Sequence, residues 1–144
     1  MKLVITSLYA NPPHAGHIEY LNLARELADT HVTIVNNDNQ AVLKHGKTFI
    51  PESDRLSIIG NLKSVDVAIM SIDEDSTVCK SLSKLVEIAK TYGFNEFIFA
   101  KGGDRNQGNI PEATICEELG VKIVDGLGSK IQSSSIILEN YVKS

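Results

Sequence analysis

Short apolar runs alternate with amphipathic stretches along the whole chain. Leu3-Val4-Ile5 is a compact apolar run that reads as a strand. After Pro12-Pro13, residues Ile18, Leu21, Ala24, Leu27 and Ala28 recur at three- and four-residue steps, the spacing of one helix face. Val32-Thr33-Ile34-Val35 is rich in β-branched residues and predicts a second strand. Glu52 to Leu62 is helical, with Leu56, Ile59 and Leu62 on one side, and Val65 to Met70 predicts a third strand. Val78 to Ala89 is helical with Leu82, Leu85, Val86 and Ala89 inward, and Phe97 to Ala100 is a fourth strand. Pro111 to Leu119 is a helix with proline in its first turn, where the missing N–H does no harm. Val121 to Val124 is a fifth strand, and Ser134 to Val142 a last helix opened by serines. Strands alternating with helices imply βαβ units and a five-stranded parallel sheet. Near-continuously apolar strands imply helices on both faces. Asn36 to Pro51 is the exception: polar and aperiodic, it reads as a long loop, mobile without ligand and ordered by one.

The 144 residues fit one domain, 1–144, and no fixed-period repeat or Pro/Ser-rich linker divides them. Hydrophobic residues at 42% and charged residues at 22% exclude a disordered or fibrous chain. Fourteen basic against eighteen acidic residues give a net charge of -4, which argues against a nucleic-acid partner. Cys79 and Cys116 form neither a disulfide framework nor a zinc signature, so a reducing cytoplasmic setting is expected. Both fall in helical patterns with apolar neighbours and read as core. No run approaches the ~20 apolar residues of a membrane span, so no membrane partner is expected.

Ligands of an open parallel sheet bind outside the carboxyl ends of its strands. Four unusual segments fall at such ends: Asn11-Pro12-Pro13-His14-Ala15-Gly16-His17, Lys44-His45-Gly46-Lys47, Lys101-Gly102-Gly103-Asp104-Arg105 and Ser133-Ser134-Ser135. His14 and His17, three apart at a helix start, share a face, and Gly16 between them admits close approach. The helix N-terminus adds free N–H groups and the positive end of a dipole, which suits a phosphate. Lys44 and Lys47 are candidates to hold a polyphosphate as point charges, against the plain alternative of solvated loop lysines. Gly102 and Gly103 permit close backbone approach, or simply turn the chain. Ser133, Ser134 and Ser135 cap a helix and offer hydroxyls in the same direction. There is no GxGxxG, no GxxxxGK[ST] and no GxSxG, which excludes the dinucleotide, P-loop and nucleophile-elbow classes.

His14-Ala15-Gly16-His17 resembles the HxGH signature of the cytidylyltransferase-like nucleotidyltransferases, and Ser133-Ser134-Ser135-Ile136-Ile137 resembles their second, C-terminal signature. Asn36-Asn37-Asp38, Lys44-His45-Gly46-Lys47, Arg55, Val65-Asp66, Glu74-Asp75-Ser76-Thr77 and Lys101-Gly102-Gly103-Asp104 follow in family order. The series is most similar to the heptose-phosphate adenylyltransferase domain of lipopolysaccharide core biosynthesis, then to glycerol-3-phosphate cytidylyltransferases. The resemblance implies a Rossmann-like fold and transfer of AMP or CMP from ATP or CTP, with its Mg²⁺, onto a phosphorylated, sugar phosphate-like small molecule. Pyrophosphate is released. It implies that His14 and His17 stabilise charge on the transferred phosphoryl group and that Lys44 or Lys47 holds phosphates. It places Tyr9, Asn11, Gly16, Lys101, Gly102, Gly103 and Asp104 around the nucleotide and Ser133, Ser134 and Ser135 on the leaving pyrophosphate. A homodimer is implied as well. The family's Gly-Thr-Phe-Asp stretch is replaced by Leu8-Tyr9-Ala10-Asn11, which removes a negative charge, and Gln132 stands where the second signature usually begins with isoleucine. An archaeal-type FAD synthetase and a non-catalytic nucleotide-binding domain are the alternative expectations.

Overall fold

The computed structural model describes residues 1–102 and 110–128. The elements run β1 (Lys2–Leu8), α1 (Ala15–Arg25), β2 (Thr30–Val35), α2 (Asp38–His45), α3 (Glu52–Gly60), β3 (Val67–Met70), α4 (Cys79–Thr91), β4 (Glu96–Gly102), α5 (Ala113–Leu119) and β5 (Lys122–Leu127). All strands are parallel, in the order β3-β2-β1-β4-β5. The expected α/β, Rossmann-like class with a five-stranded parallel sheet is therefore the observed one. The helix expected over Ser134 to Val142 lies outside the described residues.

Strand alternation divides the core between the two faces. Leu3, Ile5, Val32, Ile34, Phe97 and Phe99 pack against Val78, Leu82, Val86 and Ala89 at α4 and Cys116 of α5. Val4, Ala24, Ile98 and Ala100 form one cluster on the other face, and Leu8, Tyr20, Leu21, Val35 and Ile59 another, under α1 and α3. That second face also holds a buried polar group. His31 Nδ1 lies 2.7 Å from the carbonyl of Ser64, so it carries the proton and donates; Nε2 then accepts from the Thr6 hydroxyl at 2.8 Å. Burial lowers the pKa of His31 and keeps it neutral.

One expectation is corrected. Asn36 to Pro51 is not a structureless loop, because it contains α2. Asn37 caps that helix reciprocally with Gln40, and Gly46 ends it in the left-handed region at φ 83°. Only Gln40 and Ala41 are buried in it, so no apolar period marks the helix. The segment is fastened at several points, described below.

From β1 the chain steps to β2 and β3 on one side, and α4 carries it back to β4 on the other side of β1. The strand order thus reverses between β1 and β4, the point where a doubly wound sheet opens a crevice at its carboxyl edge. No helix among the described residues is long and apolar enough to cross a membrane.

Candidate active site

The connection from β1 to α1 delivers the histidines to that crevice. His14 is the N-cap of α1, extended at φ -152° and ψ 176°. Its Nδ1 accepts the Gly16 amide at 3.1 Å, and Nδ1 of His17 accepts the His14 amide at 3.1 Å. The two rings stack with centroids 3.7 Å apart. An Nδ1 that accepts from an amide carries no proton, so each neutral imidazole holds its hydrogen on Nε2. Burial lowers both pKa values; that of His17 falls to about 3, with the charges of His14 and Lys44 adding to the effect. The pair is thus two neutral Nε2–H donors at pH 7, locked in one tautomer by the backbone they cap.

The other helix starts are closed to anions. At α2 the Asp38 amide donates to Glu52 Oε1 at 2.8 Å. At α4 the amide of Val78 donates to Glu112, and those of Lys80 and Ser81 donate to Asp73. Glu52 and Asp54 occupy the first turn of α3, and Glu112 is the N-cap of α5. Among the described helices, α1 alone has no carboxylate either in its cap and first turn or bonded to its first amides, so its dipole is left for an incoming anion.

Lys44 and Lys47 stand differently. The Lys44 ammonium lies 4.4 Å from the centroid of Tyr9, and its charge bears on His17. The Lys47 ammonium lies 5.1 Å from the Phe49 centroid. On the β4 side, Lys101 donates to Ser7 Oγ of β1 at 3.1 Å, across the reversal point. Gly102 is tightly placed: a Cβ there would meet Tyr20 Cδ1 at 3.1 Å and the Leu127 carbonyl at 3.2 Å. Its lack of a side chain serves internal packing, and Tyr20 also donates from its hydroxyl to the Ala100 carbonyl. Gly103, Asp104, Ser133, Ser134 and Ser135 lie outside the described residues.

Asn11 is held by the protein itself. It is fully buried, and Oδ1 accepts the amides of Phe49 and Ile50 at 2.9 and 3.1 Å. Its Nδ2 donates to the Lys47 carbonyl at 3.4 Å and to His45 Nδ1 at 3.3 Å. Both ends of the amide are engaged by protein, so Asn11 shapes the site from within. The backbone around it turns, with Ala10 before it at φ 52° and a cis Asn11-Pro12 bond after it.

The residue that sequence reasoning placed in the series but gave no task is Arg55. It is fully buried. Nε donates to the Ile50 carbonyl at 2.8 Å, Nη1 to the carbonyls of Tyr9 and Asn36 at 2.7 and 2.6 Å, and Nη2 to Asp38 Oδ1 at 2.9 Å. One guanidinium ties the ends of β1 and β2 to the starts of α2 and α3. The available signal was a cation one turn before Ile59, on the inward side of an amphipathic helix. Gln40 does similar work by donating to the carbonyls of Asp75 and Thr77, which moors the 71–77 loop to α2.

A parallel sheet whose one unblocked helix start lies at the strand-order reversal, faced by a lysine and lined by neutral N–H donors, defines a nucleotide-handling α/β protein. The chain belongs to the cytidylyltransferase-like family, whose model matches residues 9–137, and so is a nucleotidyltransferase. It is similar to the FAD synthase of Methanocorpusculum labreanum, 27% identical over 143 residues that cover 99% of this chain and 97% of that protein. It is also similar to the bifunctional protein HldE of Nitratiruptor sp., 28% identical over 96% of this chain but 27% of the longer relative. Among solved structures it resembles the lipopolysaccharide core biosynthesis protein from Thermoplasma volcanium, with a TM-score of 0.66 and 28% identity over 87% of this chain and 95% of that one.

Two outcomes follow for stability. Arg55→Met leaves three carbonyls and a carboxylate without their donor, and urea unfolding should show a loss of about 1–3 kcal/mol for each buried carbonyl left unsatisfied. Arg55→Lys, with one ammonium for four acceptors, should recover only part of it. The second concerns pH. The folded pKa of His17 lies below its unfolded value, so the unfolded chain binds the extra proton and stability falls as pH drops from 6.5 toward about 3. His17 alone contributes a slope of about 1.4 kcal/mol per pH unit in that window. His17→Gln keeps an acceptor at the third helical position. It should therefore reduce the slope by that amount while leaving stability at pH 7.5 nearly unchanged, and an unaltered slope would contradict the assignment.

Proposed function

We propose that this protein transfers a nucleotidyl group from an NTP onto a small-molecule phosphate monoester. The observation that carries the reading is the pair of tautomer-locked Nε2–H donors at the one described helix start that no carboxylate occupies or bonds. A phosphate oxygen of the acceptor attacks the α-phosphorus in line, the bond from that phosphorus to the bridging oxygen breaks, and pyrophosphate leaves with the electron pair. The nucleophile is already ionised near pH 7, so no general base is required, and the work is positioning and charge stabilisation. His14 and His17 donate to the non-bridging oxygens where charge gathers. Lys44, whose charge already reaches His17, is the principal phosphate cation, with Lys47 secondary. Lys101, Gly102, Gly103 and Asp104 border the nucleoside beside Gly16 and Tyr9, and Ser133, Ser134 and Ser135 receive the leaving pyrophosphate. Mg²⁺ enters with the NTP as part of the substrate; among the described residues no three His, Cys, Asp or Glu side chains gather to hold a metal.

Two acceptors have support. The FAD synthase match runs nearly end to end in both chains and favours ATP with FMN, since FAD is FMN joined to AMP. The structural likeness to a lipopolysaccharide core biosynthesis protein favours a sugar phosphate instead. A matrix of ATP and CTP against FMN, heptose phosphate and glycerol phosphate, read by pyrophosphate release, separates them. Release with none of these or other phosphate monoesters would contradict transfer itself. In the productive combination His17→Ala should lower kcat by about two orders of magnitude, the usual cost of one charge-stabilising donor. Near-normal turnover by a folded His17→Ala protein would remove that histidine from the chemistry.

A further inference from the structure

We propose that His45 is a positioning residue for nucleotidyl transfer: held by Asn11, it orients the Tyr9 ring and through that ring the ammonium of Lys44. The proposal rests on the reading of Lys44 as a phosphate ligand. The first link is fixed independently of any assumption about the histidine. Two backbone amides, of Phe49 and Ile50, donate to one end of the Asn11 amide, so that end is oxygen. The other end is therefore the NH₂ group, and it faces His45 Nδ1 at 3.3 Å. His45 Nδ1 must then accept, which makes the ring neutral with its proton on Nε2.

The second link is the edge-to-face contact of the His45 and Tyr9 rings, with centroids 5.8 Å apart and planes at 66°. The third is Lys44 Nζ at 4.4 Å from the Tyr9 centroid. Lys44 and His45 are sequence neighbours on α2, and adjacent helical side chains do not face each other. Tyr9, from the turn after β1, bridges them. The charges bearing on His45 are Lys44 on its own helix and Arg55 from α3; both are cationic and, after burial, oppose its protonation. The relay also explains Asn11. An aspartate would set an oxygen against both the Lys47 carbonyl and a neutral Nδ1, so the uncharged amide and the neutral histidine require one another.

The test is a double-mutant cycle of His45→Ala and Lys44→Ala, with kcat and NTP KM measured for each protein and thermal unfolding measured alongside. His45→Ala should raise NTP KM about fivefold to tenfold with kcat within about twofold, as expected when ground-state and transition-state binding weaken together. In the Lys44→Ala background the same change should have no further effect. Equal losses in both backgrounds would show that His45 acts independently of Lys44 and would overturn the relay. If Lys44→Ala alone leaves KM unaltered, the phosphate-ligand reading fails and the relay is judged by NMR. The Lys44 side-chain protons near Nζ should be shifted upfield by the Tyr9 ring. His45→Ala should abolish that shift and His45→Phe, which restores a ring, should recover part of it. A Lys44 shift unchanged in His45→Ala would overturn the proposal.

Discussion

A single buried cation holds the catalytic edge together. Each strand of a parallel sheet ends at the same rim, and each ending leaves backbone carbonyls that need donors once covered. Arg55 supplies them at three places, Tyr9, Asn36 and Ile50, and neutralises Asp38 with what remains. Its planar fork has five N–H groups, which is why one residue suffices and why lysine would not. Without it the ends of β1 and β2 have no common anchor, and the turns that carry Tyr9, His14 and Lys44 lose their mutual register. The buried amide of Asn11 extends the same frame by fastening residues 45–50 to the β1 turn.

On that frame the site separates charge from hydrogen bonding. His14 and His17 give up their Nδ1 lone pairs to the helix they start, and burial keeps them neutral. They present direction rather than charge. The charge comes from Lys44, whose ammonium rests on the Tyr9 ring and bears on His17. Carboxylates close every other helix start described, and on the proposed reading their repulsion steers a polyphosphate to α1. Donors that change neither tautomer nor protonation across neutral pH need no reorganisation as charge develops, and this is how fixed dipoles stabilise a transferring phosphoryl group.

The strands and the amphipathic helices were legible in the sequence because burial imposes a period, as at Leu82, Val86 and Ala89 of α4. The rim was legible too, since chain order alone puts the carboxyl ends of parallel strands together. What was not legible is what depends on contacts distant in sequence. α2 has almost no apolar face, and its signals were only the Asn37–Gln40 cap and the Gly46 stop. Arg55 had a place in the family series but no task, because its acceptors lie 5 to 46 residues away. The resemblance set Asn11 near the nucleotide, but its hydrogen-bond partners, 34 to 39 residues further on in a segment that gave no period, were not legible. Gly102 read as close backbone approach or a turn, and no sequence signal showed that Tyr20 and the Leu127 carbonyl pack where its Cβ would stand.

The claim that the histidines act as neutral, tautomer-locked donors is tested most directly by nitrogen-15 NMR of the imidazoles between pH 5 and 8. His14 and His17 should each show an unprotonated Nδ1 and a protonated Nε2 at pH 7, and His17 should keep that pattern at pH 5. His31, whose Nδ1 faces a carbonyl, should show the opposite tautomer and serve as an internal reference. An imidazolium at His17 at pH 7, or a proton on Nδ1 of His14 or His17 in the folded protein, would contradict the account.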